Sequence, residues 1–293
     1  MVKSTSLKGI LYGLLSSASF GLIPLFTIPV MREGMPFYSV LVYRFAFACL
    51  LIFFILLKQR RSLRINFGEG IRLVVLAILY DSSALFLFWG YNYMSSGVAT
   101  TIHFMYPVLT ALIMALFFRE KASISTFLAI GLAIVGVVLL TLKSESEHAI
   151  SMEGLVIVLI SALAYALYLI VVNQFKVRRM GSMKLTFYVF LFGTFFLWIN
   201  AEIVGEVEPI TSWGTAGNLI MLALIPTVLS NITLIQAVKR IGSTLTSVMG
   251  AMEPLTAVFV GILLLNEPFS SMTAFGITSI VAAVILLVIK KRA

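Results

Sequence analysis

The chain is 293 residues long, 60% hydrophobic and only 11% charged, with a mean hydropathy of +1.08. These values exclude a soluble globular domain. Its formal net charge of +9 falls in short segments between apolar runs, not on a polar face with interleaved aromatics, so it reflects membrane topology and no nucleic-acid partner is expected.

In chain order, Lys3 and Lys8 open an apolar stretch that continues to about Val30. That is span length, not signal-peptide length, so a retained first helix is expected near 8–30. Further runs of about 20 apolar residues predict spans near 36–57, 71–93, 98–118 and 125–143. The polar stretch 144–152, with its Ser-Glu-Ser-Glu-His run, is the expected linker. Beyond it, spans are predicted near 153–175, 183–203, 216–236, 245–265 and 271–289. Very short turns join 71–93 to 98–118 and 216–236 to 245–265. The one cysteine, Cys49, lies inside an apolar run, which leaves no disulfide framework and no cysteine metal site. The expected fold is therefore all-α and integral to the membrane, with ten transmembrane helices.

Lys and Arg set the direction of the spans. With a cytoplasmic amino terminus and alternating spans, 18 of the 21 basic residues fall on the inside. Only Arg32 and Lys143 face outward, and Arg44 lies within a span. The outer loops hold Glu145, Glu147, Glu202, Glu206 and Glu208 instead. Both termini are thus expected in the cytoplasm, with the linker outside.

The chain also repeats itself about 147 residues apart. Met105-Tyr106-Pro107 leads into an apolar run ending at Arg119-Glu120-Lys121; Met252-Glu253-Pro254 leads into one ending at Asn266-Glu267-Pro268. A second matched pair is Gly9, Ser16 and Phe20 against Gly154, Ser161 and Tyr165. Residues 1–143 and 153–293 then form two repeats of five spans each. Because five is odd, the second half enters the membrane in the opposite sense. The halves are expected to be an inverted repeat, with two near-equivalent packings that suit alternating access.

Carried by these Pro-bearing fourth and ninth spans with their Glu turns, by Ser16-Ser17-Ala18-Ser19-Phe20-Gly21 and by Tyr43-Arg44-Phe45, the chain resembles the EamA family of the drug/metabolite transporter superfamily. The resemblance covers essentially the whole chain. It implies a cell (inner) membrane carrier that exports amino acids, drugs or other small metabolites, and it implies that substrate-facing residues come mainly from spans other than the one bearing Arg44. The second half has no Arg where Arg44 would repeat, near Tyr188-Val189, so any site is asymmetric.

Ionisable groups at membrane depth cost roughly 2.5–3.5 kcal/mol on insertion scales, so each needs a reason. Four stand out: Arg44, Asp81, His103 and Glu253. Glu253 stands immediately before Pro254, which loosens the turn and frees carbonyls beside the carboxylate. It fits a contact to an ammonium or another cation, a proton-coupling group, or a structural carboxylate. Asp81 shares a helical stripe with Phe88 and Asn92, and either lines a cavity near Trp89 or neutralises Arg44. Arg44 either clamps a substrate carboxylate or locks helices together. His103 lies one turn before Pro107 and suits a packing residue, a proton relay or a substrate contact; with no second His nearby, no metal is expected.

Phe20, Tyr80, Trp89, Tyr106, Tyr165 and Tyr168 fall at mid-membrane or cavity-facing positions by repeat alignment. They would suit amphipathic solutes and could hold an ammonium over a ring. Ser16, Ser17, Asn173, Ser230, Asn231 and Ser247 are further polar candidates, or interhelical glue. Pro107 and Pro254 are candidate hinges. No Walker-type, His-Glu-x-x-His or Gly-x-Ser-x-Gly motif is present, so neither an ATP-driven engine nor an enzyme is expected. A zwitterionic amino acid is the favoured substrate, with protons as a possible coupling ion and no cofactor. Amphipathic drugs, other metabolites and a non-transporting scaffold are the competing readings; monomer and homodimer are both open.

Overall fold

In lipid the backbone must satisfy its own polar groups, and this chain does so with helices. The computed structural model describes residues 3–60, 62–118, 151–174, 180–250, 252–266 and 270–289, with isolated positions between 128 and 139. Most of the expected fifth span and of the linker, and the motif ends Arg119-Glu120-Lys121 and Glu267-Pro268, lie outside the described residues.

The first half comprises α1 (Lys3–Phe20), α2 (Ile23–Arg32), α3 (Phe37–Lys58), α4 (Phe67–Gly90), α5 (Ser96–His103) and α6 (Tyr106–Phe117). The second comprises α7 (Met152–Gln174), α8 (Ser182–Val204), α9 (Trp213–Leu222), a π-helical segment (Ala223–Leu229), α10 (Ser230–Met249), α11 (Met252–Leu265) and α12 (Ser271–Ile289). No strand occurs among the described residues. Seven segments there are long and apolar enough to cross a membrane: Leu7–Arg32, Phe37–Lys58, Phe67–Gly90, Ser96–Phe117, Met152–Val172, Ser182–Val204 and Trp213–Gly242. Met252–Leu265 and Ser271–Ala283 are shorter apolar helices. Where the chain turns in water, ordinary caps start the helices. Asn66 and Glu69 form a reciprocal capping box on α4 at 2.8 and 3.0 Å, and Ser212 Oγ accepts from Thr215 N at 2.9 Å on α9.

Three apolar runs that read as single spans are interrupted. The first breaks at Gly21-Leu22, with Pro24 in the opening turn of α2. The fourth breaks at Phe104-Met105, with Pro107 in the opening turn of α6. The eighth carries the π-helical segment around Pro226, which has no N–H to return to Leu222 O. Thr227 Oγ1 donates to that carbonyl instead, at 2.7 Å. Between the eighth and ninth runs, Gly242 is non-helical at φ 80°, and Pro254 sits in the first turn of α11.

Packing brings α1 against α10, α4 against α7, and α3 against α8. Glycines set the closest approaches. A Cβ at Gly9 would lie 2.5 Å from Ile241 Cγ2, and one at Gly13 would lie 2.9 Å from Met249. The Gly9-x-x-x-Gly13 spacing therefore serves the α1–α10 contact. Gly90 meets Val158, and Gly154 meets Tyr93, at similar range between α4 and α7. Gly21 matters most for the site, since its missing Cβ would fall 2.5 Å from the Glu253 carbonyl oxygen. Gly21→Ala must push α11 away from the break, so we expect a loss of about 1–3 kcal/mol. Thermal unfolding in detergent measures it; an unchanged melting temperature contradicts the contact.

Candidate functional site

The buried polar groups collect where the broken helices meet. Glu253 opens α11 and is 2% exposed; His103 closes α5 and is fully buried. His103 Nε2 lies 3.9 Å from Glu253 Oε1. Tyr106, at the start of α6, and Tyr165, on α7, complete the wall. Their rings stand 4.7 Å apart edge to face, and His103 lies 5.6 and 5.4 Å from them. Tyr165 extends the wall to Phe20 at 5.9 Å, Tyr168 at 6.0 Å and Tyr80 at 6.3 Å. Asn231, on α10, donates to the Tyr80 hydroxyl at 2.6 Å and to Thr227 O at 3.1 Å.

Two buried atoms in this cluster have no hydrogen-bond partner among the described residues: Glu253 Oε1 and His103 Nε2. An unsatisfied buried carboxylate oxygen is costly. It marks a place where a donor, above all a cationic one, gains most. Aromatic faces around it add attraction for the same kind of group. Among the described residues, no three His, Cys, Asp or Glu side chains gather closely enough to hold a metal ion.

Arg44, on α3, lies beside this cluster. Its Nε donates to Thr227 Oγ1 at 2.6 Å, whose own hydrogen goes to Leu222 O. Its guanidinium carbon stands 5.8, 5.6 and 5.4 Å from the ring centres of Phe20, Phe45 and Phe88. Nη2 is buried without a partner among the described residues. Arg44 thus clasps the π-helical segment and the α1–α2 break at once.

Asp81 does not pair with Arg44. Both its carboxylate oxygens are buried without a hydrogen-bond partner among the described residues, and they abut Gly193 of α8, where a Cβ would sit 2.5 Å from Oδ1. Asp81, Phe88 and Asn92 share a stripe but not an environment: Phe88 faces Arg44 and Asn92 is exposed past the end of α4. Trp89 is half-buried and stacks on Phe86 at 6.1 Å, apart from the tyrosine cluster. Ser16 donates to Ser230 O at 2.9 Å and Ser230 to Ser16 O at 2.9 Å, as glue between α1 and α10. The side chains of Asn173 and Ser247 lie outside the described residues.

Of the eight candidates named from the sequence, the structure gathers Glu253, His103, Tyr106, Tyr165, Tyr168 and Asn231 and sets Asp81 and Trp89 apart, and two partners were not foreseen. Thr227 as the anchor of Arg44 was signalled only by Pro226, whose missing N–H demands a nearby hydroxyl. Ser161 Oγ lies 2.9 Å from His103 Nδ1 and 2.6 Å from Ser83 O; its repeat relation to Ser16 was visible, its histidine was not.

Residues 7–142 and 152–289 match the EamA-like transporter family. Among curated relatives, the uncharacterized transporter YojE of Bacillus subtilis (strain 168) is 24% identical over 290 residues, spanning 95% of this chain and 93% of its own length. An uncharacterized transporter of Archaeoglobus fulgidus is 26% identical over 219 residues, covering 71% of this chain and 73% of the relative. One solved crystal structure superposes with a TM-score of 0.70 at 14% identity, covering 99% of this chain and 98% of the other. That last likeness is one of fold.

Proposed function

The chain belongs to the EamA-like transporter family, and from that premise we propose a ten-span carrier that moves a small organic solute bearing an ammonium group by alternating access. It is a multi-pass membrane transporter, not an enzyme. An amino acid or a related metabolite is the substrate, export from the cytoplasm is the direction, and protons are the coupling ion. The protein sits in the cell (inner) membrane with both termini in the cytoplasm and the 144–152 linker outside.

The observation that carries this reading is Glu253: a fully buried carboxylate oxygen without a partner, ringed by aromatic side chains between two helix breaks. A cation entering there gains a charge-assisted hydrogen bond and ring contacts together. For a zwitterion, the unpartnered Nη2 of Arg44 is the natural place for the carboxylate. The tyrosine wall also favours amphipathic and aromatic solutes, which keeps a wider metabolite or drug range as the second reading.

Paired contacts support an inverted repeat. Ser16 donates to the carbonyl of Ser230, and its repeat mate Ser161 donates to the carbonyl of Ser83. Direction is consistent too. Gly21 touches Glu253 and Arg32 Nη2 donates to Leu265 O, so α2 and α11 run parallel; Lys184 and Tyr188 donate to Arg64 and Leu63, so α4 and α8 start together. Odd-numbered spans must behave this way. Pro107 and Pro254, each in the first turn after a break, are the proposed hinges.

Flux in proteoliposomes over a panel of amino acids and amphipathic amines tests the function. Movement of at least one amine-bearing solute is expected; no flux from folded protein contradicts it. Cysteine labelling in a Cys49→Ser background tests the topology. A reporter at 147 should react from outside and one at 292 only from the cytoplasm.

A further inference from the structure

We infer that His103 and Glu253 together form a single proton-binding site, on an imidazole whose orientation Ser161 fixes. Ser161 Oγ lies 2.6 Å from Ser83 O and 2.9 Å from His103 Nδ1. A carbonyl oxygen only accepts, so the one hydroxyl hydrogen of Ser161 goes to Ser83. Ser161 Oγ then faces the ring as an acceptor, and Nδ1 must carry the N–H. The neutral ring accordingly presents a lone pair at Nε2.

That nitrogen faces Glu253 Oε1 across 3.9 Å, and neither atom has another partner among the described residues. Two lone pairs aimed at each other repel. One proton between them converts repulsion into a hydrogen bond, once the atoms close by about 1 Å to normal length. Whichever atom holds the proton, the pair then carries no net charge, as a water-poor interior demands. Tautomers are set in this way by what the other ring nitrogen meets.

The other ionisable groups near the pair do not take this role: Asp81 of α4 abuts Gly193 of α8, and Arg44 of α3, a permanent cation, gives its Nε to Thr227. Tyr106 of α6, Tyr165 of α7 and Tyr80 of α4 are buried phenols, which stay protonated through the physiological range. Helix α12, which packs on α5, has no titratable residue. On α2, Arg32 is engaged by Leu265 O. On α1, Tyr12 lies under the Arg240 guanidinium at 5.0 Å and Lys8 is exposed.

Resting on the carrier reading above, this site names the coupling event. An incoming ammonium takes the Glu253 lone pairs as an N–H donor. The bond from the proton to the pair breaks, the proton passes to water on the open side, and the net charge of the loaded site is unchanged. One cation exchanges for one proton.

The proton site can be tested without any transport. The chain has two histidines, His103 and His148, so protein carrying His148→Gln and 15N-labelled histidine reports on His103 alone. In lipid nanodiscs, nitrogen NMR should show Nδ1 protonated, and Nε2 either a hydrogen-bond acceptor or a proton sharer whose shift moves with pH. Ser161→Ala should shift the balance toward the Nε2–H tautomer. Glu253→Gln, whose amide can donate to Nε2, should keep Nδ1–H and abolish the pH-dependent shift. A bare Nδ1 with Nε2–H at every pH overturns the site, as does a titration unaltered by Glu253→Gln. Either result would leave the flux assay free to succeed, so the two readings fail separately.

Discussion

Glu253→Gln is expected to reduce solute flux tenfold or more while leaving the protein folded. The two side chains have nearly the same shape, so the packing of α11 against the α1–α2 break and α5 is kept. The new amide gains a donor that can face His103 Nε2, an atom without a partner in the native protein. Nothing in this exchange predicts a stability loss beyond about 1 kcal/mol. What disappears is the anionic acceptor. A charge-assisted hydrogen bond contributes about 1.5–3 kcal/mol, equivalent to about 10- to 100-fold in affinity for an ammonium. Flux at sub-saturating solute should drop in that range, and the residual flux should lose its dependence on pH. Proteoliposome flux at several pH values, beside melting temperature in detergent, checks both halves. Full flux with the native pH profile would make Glu253 a structural carboxylate and remove it from the site.

Arg44→Ala is expected to do the opposite, lowering the amount of folded protein first. The side chain is buried, stands near three phenylalanine rings and holds Thr227 at the π-helical segment. Truncation opens a cavity and removes a hydrogen bond from a charged donor, together about 2–4 kcal/mol. The melting temperature should fall by roughly 5–15 °C, with less monodisperse protein recovered. Arg44→Lys should rescue poorly, because an ammonium lacks the planar face that lies among the rings. A well-folded but inactive Arg44→Ala protein would overturn this structural role and leave Arg44 with the solute contact through Nη2 alone.

The residues of the candidate site were legible to different degrees, for a physical reason. Glu253, His103 and Arg44 announce themselves because an ionisable group in an apolar run is expensive and therefore rare. Tyr106 and Tyr165 followed from repeat alignment. Asp81 announced itself equally well, yet its neighbour is Gly193 and not Arg44. Which of several buried charges meet depends on how each helix is rotated and at what depth it crosses its neighbour. A soluble helix encodes its rotation in an apolar stripe; a span wrapped in lipid and protein is apolar all round, so that stripe is missing.

From the sequence alone came an apolar, all-helical membrane protein, the motifs that carry its family likeness and the short set of side chains worth asking about, because desolvation cost acts locally on each segment. Tertiary structure alone decided that the first span breaks at Gly21-Leu22, that Thr227 joins Arg44 to the Pro226 segment, and that Ser161 turns His103 toward Glu253. Those features are contacts between segments up to 183 residues apart. Directional hydrogen bonds select them from many packings that bury the same apolar surface equally well.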